Sequence, residues 1–342
     1  MKTHMNVPVF IPHLGCPHNC AFCSQKSVTN VQAAPSPESV AFSVRKQRAT
    51  RGGRKAEIAF FGGSFTGIPR EMQKAYLESV QPFLEAGEAE SIRLSTRPDY
   101  VDGETVAFLR KYGVKTVELG AQSMCDRVLM ASNRGHRAAD TEKAAKAILS
   151  GGLRLGLQMM TGLPDSTPAD ELETARQFVA LGASDARIYP TVVFYDTELY
   201  TRFCAGDYIP PTLEETVERA AACLAVLEEG GVQVIRIGLQ ETETLGGCAA
   251  AGAYHPALGE LIRARLWRNR LERAVCTFEK KELTVYCPQK LTSLVVGHRR
   301  ENFTYFREKY GIRLTQGRGN TAYVTDGEGR VAHISEQKGR KE

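Results

Sequence analysis

A chain of 342 residues with 42% hydrophobic and 24% charged side chains has room for one large α/β domain with an appendage, or for two domains. A net charge of +5 admits a polyanionic partner without requiring one, and no apolar run is long enough to cross a bilayer. Nine cysteines, six of them scattered singly, exclude a disulfide framework, and the N-terminus lacks a signal-peptide pattern; the expectation is a cytoplasmic protein with no membrane partner.

The first predicted strand is Val7–Ile11, and it leads directly into Cys16-Pro-His-Asn-Cys20-Ala-Phe-Cys23. Three cysteines spaced x3 then x2 let one loop wrap three thiolates around three corners of a small metal cluster. Electron-transfer iron–sulfur clusters take four cysteines and structural zinc takes four ligands, so three leave a corner open for substrate or cofactor. A zinc site completed by His13 or His18 is the competing reading. Burial of the cysteines as plain apolar residues fits poorly with a loop containing Pro17 and Asn19. With an aromatic residue ahead of the last cysteine, the motif resembles that of the radical SAM superfamily. The resemblance implies a 4Fe-4S cluster on Cys16, Cys20 and Cys23, S-adenosylmethionine on the open iron, and Phe22 packed near its adenine.

From residue 7 to about 240, short apolar runs alternate with helical stretches. The predicted strands after the first are Glu57–Phe61, Ser91–Thr96, Thr116–Leu119, Arg154–Met160, Asp185–Val193 and Val232–Leu239. Helix starts are marked by Ser36 ahead of Pro37, by Thr167 ahead of Pro168, and by the capping box Thr212…Glu215. Such alternation predicts a parallel sheet with right-handed crossovers, whose chemistry gathers at the carboxyl ends of its strands. The units are too few for a complete eight-fold barrel. The expected class is therefore α/β: a partial (β/α)6-type radical SAM barrel over residues 1–240 with a small C-terminal α+β subdomain over 241–342.

Motifs at the strand ends follow in order. The second strand ends in Gly62-Gly63-Ser64-Phe65-Thr66, where glycines admit a close backbone approach, although a lone Gly-Gly also makes an ordinary βα turn. It resembles the superfamily's glycine motif, which holds the methionine amino group, and Ser64 and Thr66 replace the acidic residue often found there. Thr96-Arg97-Pro98-Asp99-Tyr100 ends the third strand and resembles a string of the Elongator catalytic subunit, which implies a site-lining role for Thr96. Glu118 lies inside an apolar strand, where a carboxylate needs a partner; it points either into the barrel or into an internal network with Arg134 and His136. Resemblance to the Elongator-like and coproporphyrinogen-oxidase-like branches implies that Gln122 and Arg134 contact S-adenosylmethionine. Gln158 on the fifth strand matches neither branch and is expected to face ligand as a neutral hydrogen-bond partner. Tyr189-Pro190 closes the sixth strand on the substrate side.

The Gly/Ala/Thr-rich stretch Glu241–Gly252 reads as a boundary or a mobile loop over the barrel mouth. An arginine-rich helix follows, with Arg263, Arg265, Arg268, Arg270 and Arg273 around Trp267; it is either a solvated face or a phosphate contact. In the Elongator subunit an acetyltransferase domain follows the barrel, for which about a hundred further residues leave no room. The expected activity is reductive cleavage of S-adenosylmethionine to a 5′-deoxyadenosyl radical for hydrogen abstraction, as a transferase or oxidoreductase. An external one-electron reductant of flavodoxin or ferredoxin type and tRNA are the expected partners. A porphyrin-like small molecule is the alternative substrate, and a non-catalytic zinc or RNA-binding module the alternative class.

Overall fold

A computed structural model describes residues 5–11, 15–16, 20–24, 34–49, 56–239 and 245–334. His13 and His18, the candidate fourth zinc ligands, lie outside the described residues, as does the 240–244 part of the Gly/Ala-rich stretch.

Seven strands form one parallel sheet in the order in which the chain delivers them: β1 (Met5–Ile11), β2 (Ala56–Gly62), β3 (Ala89–Thr96), β4 (Val114–Gln122), β5 (Arg154–Thr161), β6 (Asp185–Pro190) and, at the far edge, β8 (Gln233–Ile237). Side chains alternate across each strand. Ile92 and Leu94, Val117 and Leu119, Leu155 and Leu157, and Ala186 and Ile188 enter the main apolar core, where the outer helices pack. The residues that alternate with them, Arg93, Glu118, Gln158 (just after Leu157) and Arg187, are polar and occupy the opposite, concave face. This is the α/β half-barrel expected from the sequence.

The outer helices are α1 (Pro37–Ala49), α2 (Arg70–Ser79), α3 (Gly103–Lys111), α4 (Ala138–Ser150), α5 (Pro168–Ala180), α6 (Glu198–Ala205) and α7 (Leu213–Glu229). The Thr167 and Thr212 hydroxyls cap α5 and α7, each answered by a carboxylate three residues on. The run Asp185–Val193 is not one strand. Pro190 has no N–H to extend the ladder, the Thr191 N–H is taken by the Thr161 carbonyl, and the chain leaves the sheet. It continues as β7 (Val192–Phe194), antiparallel to β9 (Ala249–Gly252). The described end of the stretch expected to be a loop is thus a paired strand.

A last long helix, α8 (Leu258–Val275), joins two cores. Leu258, Ile262 and Leu266 belong to the barrel core, whereas Trp267, Leu271, Ala274 and Val275 belong to a second one. That second core lies under a four-stranded mixed sheet, ordered β11 (Arg313–Arg318), β10 (Glu282–Cys287), β12 (Tyr323–Thr325), β13 (Val331–His333), with α9 (Glu301–Tyr310). The arginines of α8 are engaged at home. Arg265 pairs with Glu214 and Glu218 of α7, Arg263 and Arg270 with Glu228, and Arg268 lies over the Tyr305 ring. These pairs make the helix a charged clamp between elements.

Candidate active site

A cavity of about 740 Å³ opens at the carboxyl ends of the strands, within the ~300–1,000 Å³ usual for ligand pockets. Cys16, Cys20 and Cys23 all line it. The cysteine loop is fastened by its backbone: the Ala21 N–H donates to the Ser132 carbonyl (3.1 Å), and the Ala21 carbonyl accepts from Leu199 N–H (2.8 Å). Its foot is interlocked with the glycine loop after β2. A Cβ on Gly67 would lie 2.3 Å from the Gly15 carbonyl oxygen, and one on Gly15 would lie 2.1 Å from that of Ser64. Only two glycines allow these backbones to touch.

Beside the loop, Arg134 donates from Nη1 to Cys20 Sγ (3.1 Å) and from Nη2 to the Gly120 carbonyl (2.6 Å). Its own carbonyl accepts from Arg97 Nη2 (2.6 Å), while Arg97 makes a two-pronged pair with Asp99. Burial pushes the Cys16 thiol up; the Ser64 backbone and the Arg97 and Arg134 charges pull against it, while Cys20 adds to the rise. Behind them His136 is buried; burial first, then the Arg134 and Arg97 charges, lower its pKa to about 4 and keep the ring neutral.

At the end of β4 the register slips between Leu119 and Gln122, and Gln122 takes a left-handed backbone (φ 66°). Such strain at a non-glycine residue points to a functional constraint. The side chain lines the cavity, and its Oε1 has no hydrogen-bond partner among the described residues. The hydroxyls of Ser64 and Thr96 lie 3.0 Å apart. Thr66 behaves differently from its neighbours: it hydrogen-bonds Thr96 Oγ1 (2.6 Å) and does not reach the cavity wall, so it buttresses Thr96.

Glu118 is also not on the wall. It is 1% exposed, and its oxygens accept from Arg93 Nη1 (2.8 Å), both prongs of Arg187 (2.6 and 2.9 Å) and Gln158 Nε2 (2.9 Å). Burial opposes its ionisation, but the Arg187 hydrogen bonds and the Arg187 and Arg93 charges outweigh that, and its pKa falls below the usual carboxylate range. Arg93 also reaches Glu57 (2.8 Å) and Asp185 (2.8 Å). This is an internal network, with Arg93 and Arg187 in the places the sequence reading gave to Arg134 and His136. Gly156 makes room for it, because a Cβ there would lie 2.8 Å from both Asp185 Oδ1 and Glu118 Cγ.

Phe22, Gly62, Gly63, Ser64, Thr96, Gln122, Arg134 and Gln158 therefore share one cavity with the three cysteines, while Thr66 and Glu118 support it from behind. Sequence reasoning missed Arg236, which stands in β8 beside Arg187. The signal was present, since Arg236 interrupts the apolar run Val232–Leu239 just as Glu118 interrupts its own strand.

The donor set fits an open cluster. Among the described residues, no three His, Cys, Asp or Glu side chains converge as around a single ion. A cluster instead takes each thiolate on a separate iron, so its ligands surround a volume rather than a point. The unpartnered Gln122 oxygen and the glycine-edged wall beside them suit a polar ligand held against that cluster.

Residues 10–178 match the model of the radical SAM superfamily, and residues 184–268 that of the radical SAM C-terminal domain. An uncharacterized protein of Methanocaldococcus jannaschii is 29% identical over 220 residues, 63% of this chain and 64% of its own length. The tRNA uridine(34) acetyltransferase of the same organism is 29% identical over 184 residues, 48% of this chain and 34% of its own. Elongator complex protein 3 of Homo sapiens is 25% identical over 232 residues, 62% of this chain and 42% of its own. The chain thus spans less than two thirds of each of these relatives. Among solved structures, the archaeal Methanocaldococcus infernus Elp3 with an N-terminal deletion superposes with a TM-score of 0.63 at 23% identity, covering 79% of this chain and 64% of that one, a likeness of fold.

Proposed function

Because the chain belongs to the radical SAM superfamily, we propose that Cys16, Cys20 and Cys23 hold a 4Fe-4S cluster and that the adjoining cavity holds S-adenosylmethionine. When bound, these groups supply an electron to the sulfonium and a 5′-deoxyadenosyl radical able to take a hydrogen atom from a substrate. The chain's own residues do the holding. Arg134 holds the Cys20 sulfur in place, Gln122 offers its free amide oxygen, and the Gly62–Gly63 edge admits a ligand close to the backbone. Phe22, Met160 and Tyr189 furnish apolar wall that keeps water away from a reactive carbon. The barrel carries this site, since every residue lining the cavity lies between Asn6 and Leu239. The electron comes from an external flavodoxin- or ferredoxin-type reductant, in the reducing cytoplasm.

One observation carries the reading: three thiols and an unsatisfied buried amide oxygen share a single cavity at the carboxyl ends of a parallel sheet. The test is anaerobic reconstitution with iron and sulfide, then dithionite and S-adenosylmethionine, with 5′-deoxyadenosine as readout. Product from the wild type and none from Cys20→Ala is the expected result. The Cys20→Ala chain should lose its iron yet keep its far-UV spectrum, because the cysteine loop lies outside the main core. A fully loaded cluster that never yields 5′-deoxyadenosine, with or without bulk RNA, would sink the reading.

For substrate, the names of the relatives favour RNA, tRNA first. A small molecule is favoured by a different fact: Arg263, Arg265 and Arg270 are committed to α7. Copurified nucleic acid that dissociates steeply with salt separates the two.

A further inference from the structure

Four arginines line the cavity: Arg97, Arg134, Arg187 and Arg236. Three are satisfied by the protein. Arg97 grips Asp99, Arg134 binds Cys20 and the Gly120 carbonyl, and Arg187 forks onto Glu118 while lying over the Phe61 ring (4.9 Å). Arg236 differs. Its one hydrogen bond runs from Nε to the Gly238 carbonyl (3.3 Å), and among the described residues no carboxylate lies within ion-pair distance of it.

Its position makes this costly. In the β6–β8 register Arg236 stands directly opposite Arg187, and like charges facing each other across two strands destabilise a sheet. Arg187 is neutralised by Glu118; Arg236 faces the cavity with its terminal nitrogens uncommitted, walled by Tyr189, Val192, Phe194 and Leu239. Burial pulls its pKa below the ordinary arginine value; Tyr189 acts against this, and the Arg187 charge adds to the fall. A half-buried cation kept in an apolar niche without a counter-ion is what a site for an anionic group requires.

Sheet order adds direction. The cysteine loop follows β1 at one edge of the sheet, Arg236 stands on β8 at the other, and both line one cavity. We propose that Arg236 is the substrate's anion-binding residue, taking a carboxylate or phosphate group and so presenting the rest of that molecule toward the cysteine wall. This rests on the reading of the cavity as a shared site for cofactor and substrate.

The test is a binding measurement on the anaerobically reconstituted chain at low ionic strength, titrating inorganic phosphate and succinate in separate arms, with S-adenosylmethionine affinity measured in parallel. The expected result is saturable binding of one probe, weakened at least about tenfold in Arg236→Gln, largely kept in Arg236→Lys, with S-adenosylmethionine affinity unchanged in both. Preference for phosphate points to a phosphoryl-bearing substrate, and preference for succinate to a carboxylic acid. Thermal unfolding of both variants checks that the edge strand still folds. Equal probe binding by wild type and Arg236→Gln, or none by the wild type, overturns the proposal. So does an Arg236→Gln chain that loses S-adenosylmethionine along with the probe, for Arg236 would then serve the cofactor. Wild type that binds the probe through Arg236 but no S-adenosylmethionine would sink the radical reading while the anion site stands.

Discussion

Arg93 shows what single residues contribute beneath the cavity floor. It is 5% exposed and holds three carboxylates, Glu57, Glu118 and Asp185. Ionised groups at this depth survive only when each is answered, and deleting one partner strands the others. Arg93→Met should therefore cost about 3–5 kcal/mol in urea unfolding, while a surface pair such as Arg176–Glu173 should cost less than about 1 kcal/mol. His136 makes a separate prediction. Its pKa is about 4 in the fold against 6.5 for the free side chain, so the unfolded chain takes up this proton first as pH falls. Above pH 6.5 the ring contributes nothing to pH dependence; below it stability declines by about 1.4 kcal/mol per unit until the folded value is reached. Between pH 7 and pH 5 the wild type should lose about 2 kcal/mol that His136→Gln does not. Identical pH profiles would contradict this. The same residues mark what a sequence can tell. The cysteines were legible because one loop supplies all three, whereas Arg93 and Asp185 lie 92 positions apart and meet only through strand register. Thr66 misled because it belongs to the right motif but turns its hydroxyl to Thr96.

Among elements, the contact of the β1 and β2 loops matters most to the site. The Gly15 and Gly67 backbones touch where no side chain fits, so the position of the cysteine ligands depends on the glycine loop as much as on their own segment. Gly67→Ala puts a Cβ against a carbonyl oxygen, and backbone cannot swing aside as a flexible side chain can. We expect the variant to lose about 1–3 kcal/mol and to take up iron poorly after reconstitution, as read by iron and sulfide analysis. Wild-type iron content would show that the loop seats without this contact. The strands themselves were legible as short apolar runs set between helical stretches. The break at Pro190 and the pairing of β7 with β9 were not, since that partner lies beyond an intervening helix pair and strand.

At the scale of the molecule, α8 fastens two cores with one rod. Leu266 is buried in the first and Trp267 in the second, and Arg265 braces the same turn against α7. The lone tryptophan is therefore an optical probe of the smaller core. Its fluorescence and the far-UV signal should change together in urea, because the helix cannot unwind in one core without disturbing the other. An earlier fluorescence transition would show the C-terminal core opening alone.

The strand order also sets a timetable. Each strand of the parallel sheet pairs with the sheet strand that precedes it in the chain, β7 alone being passed over, so the sheet can grow as the ribosome delivers it. The cysteines follow β1, the first strand of the sheet, and Arg236 stands on β8, the last. The cavity that both line is complete only when the last strand has paired with β6. In the finished fold Cys16 and Cys23 remain exposed, so closing the sheet does not by itself shelter these thiols from oxidants.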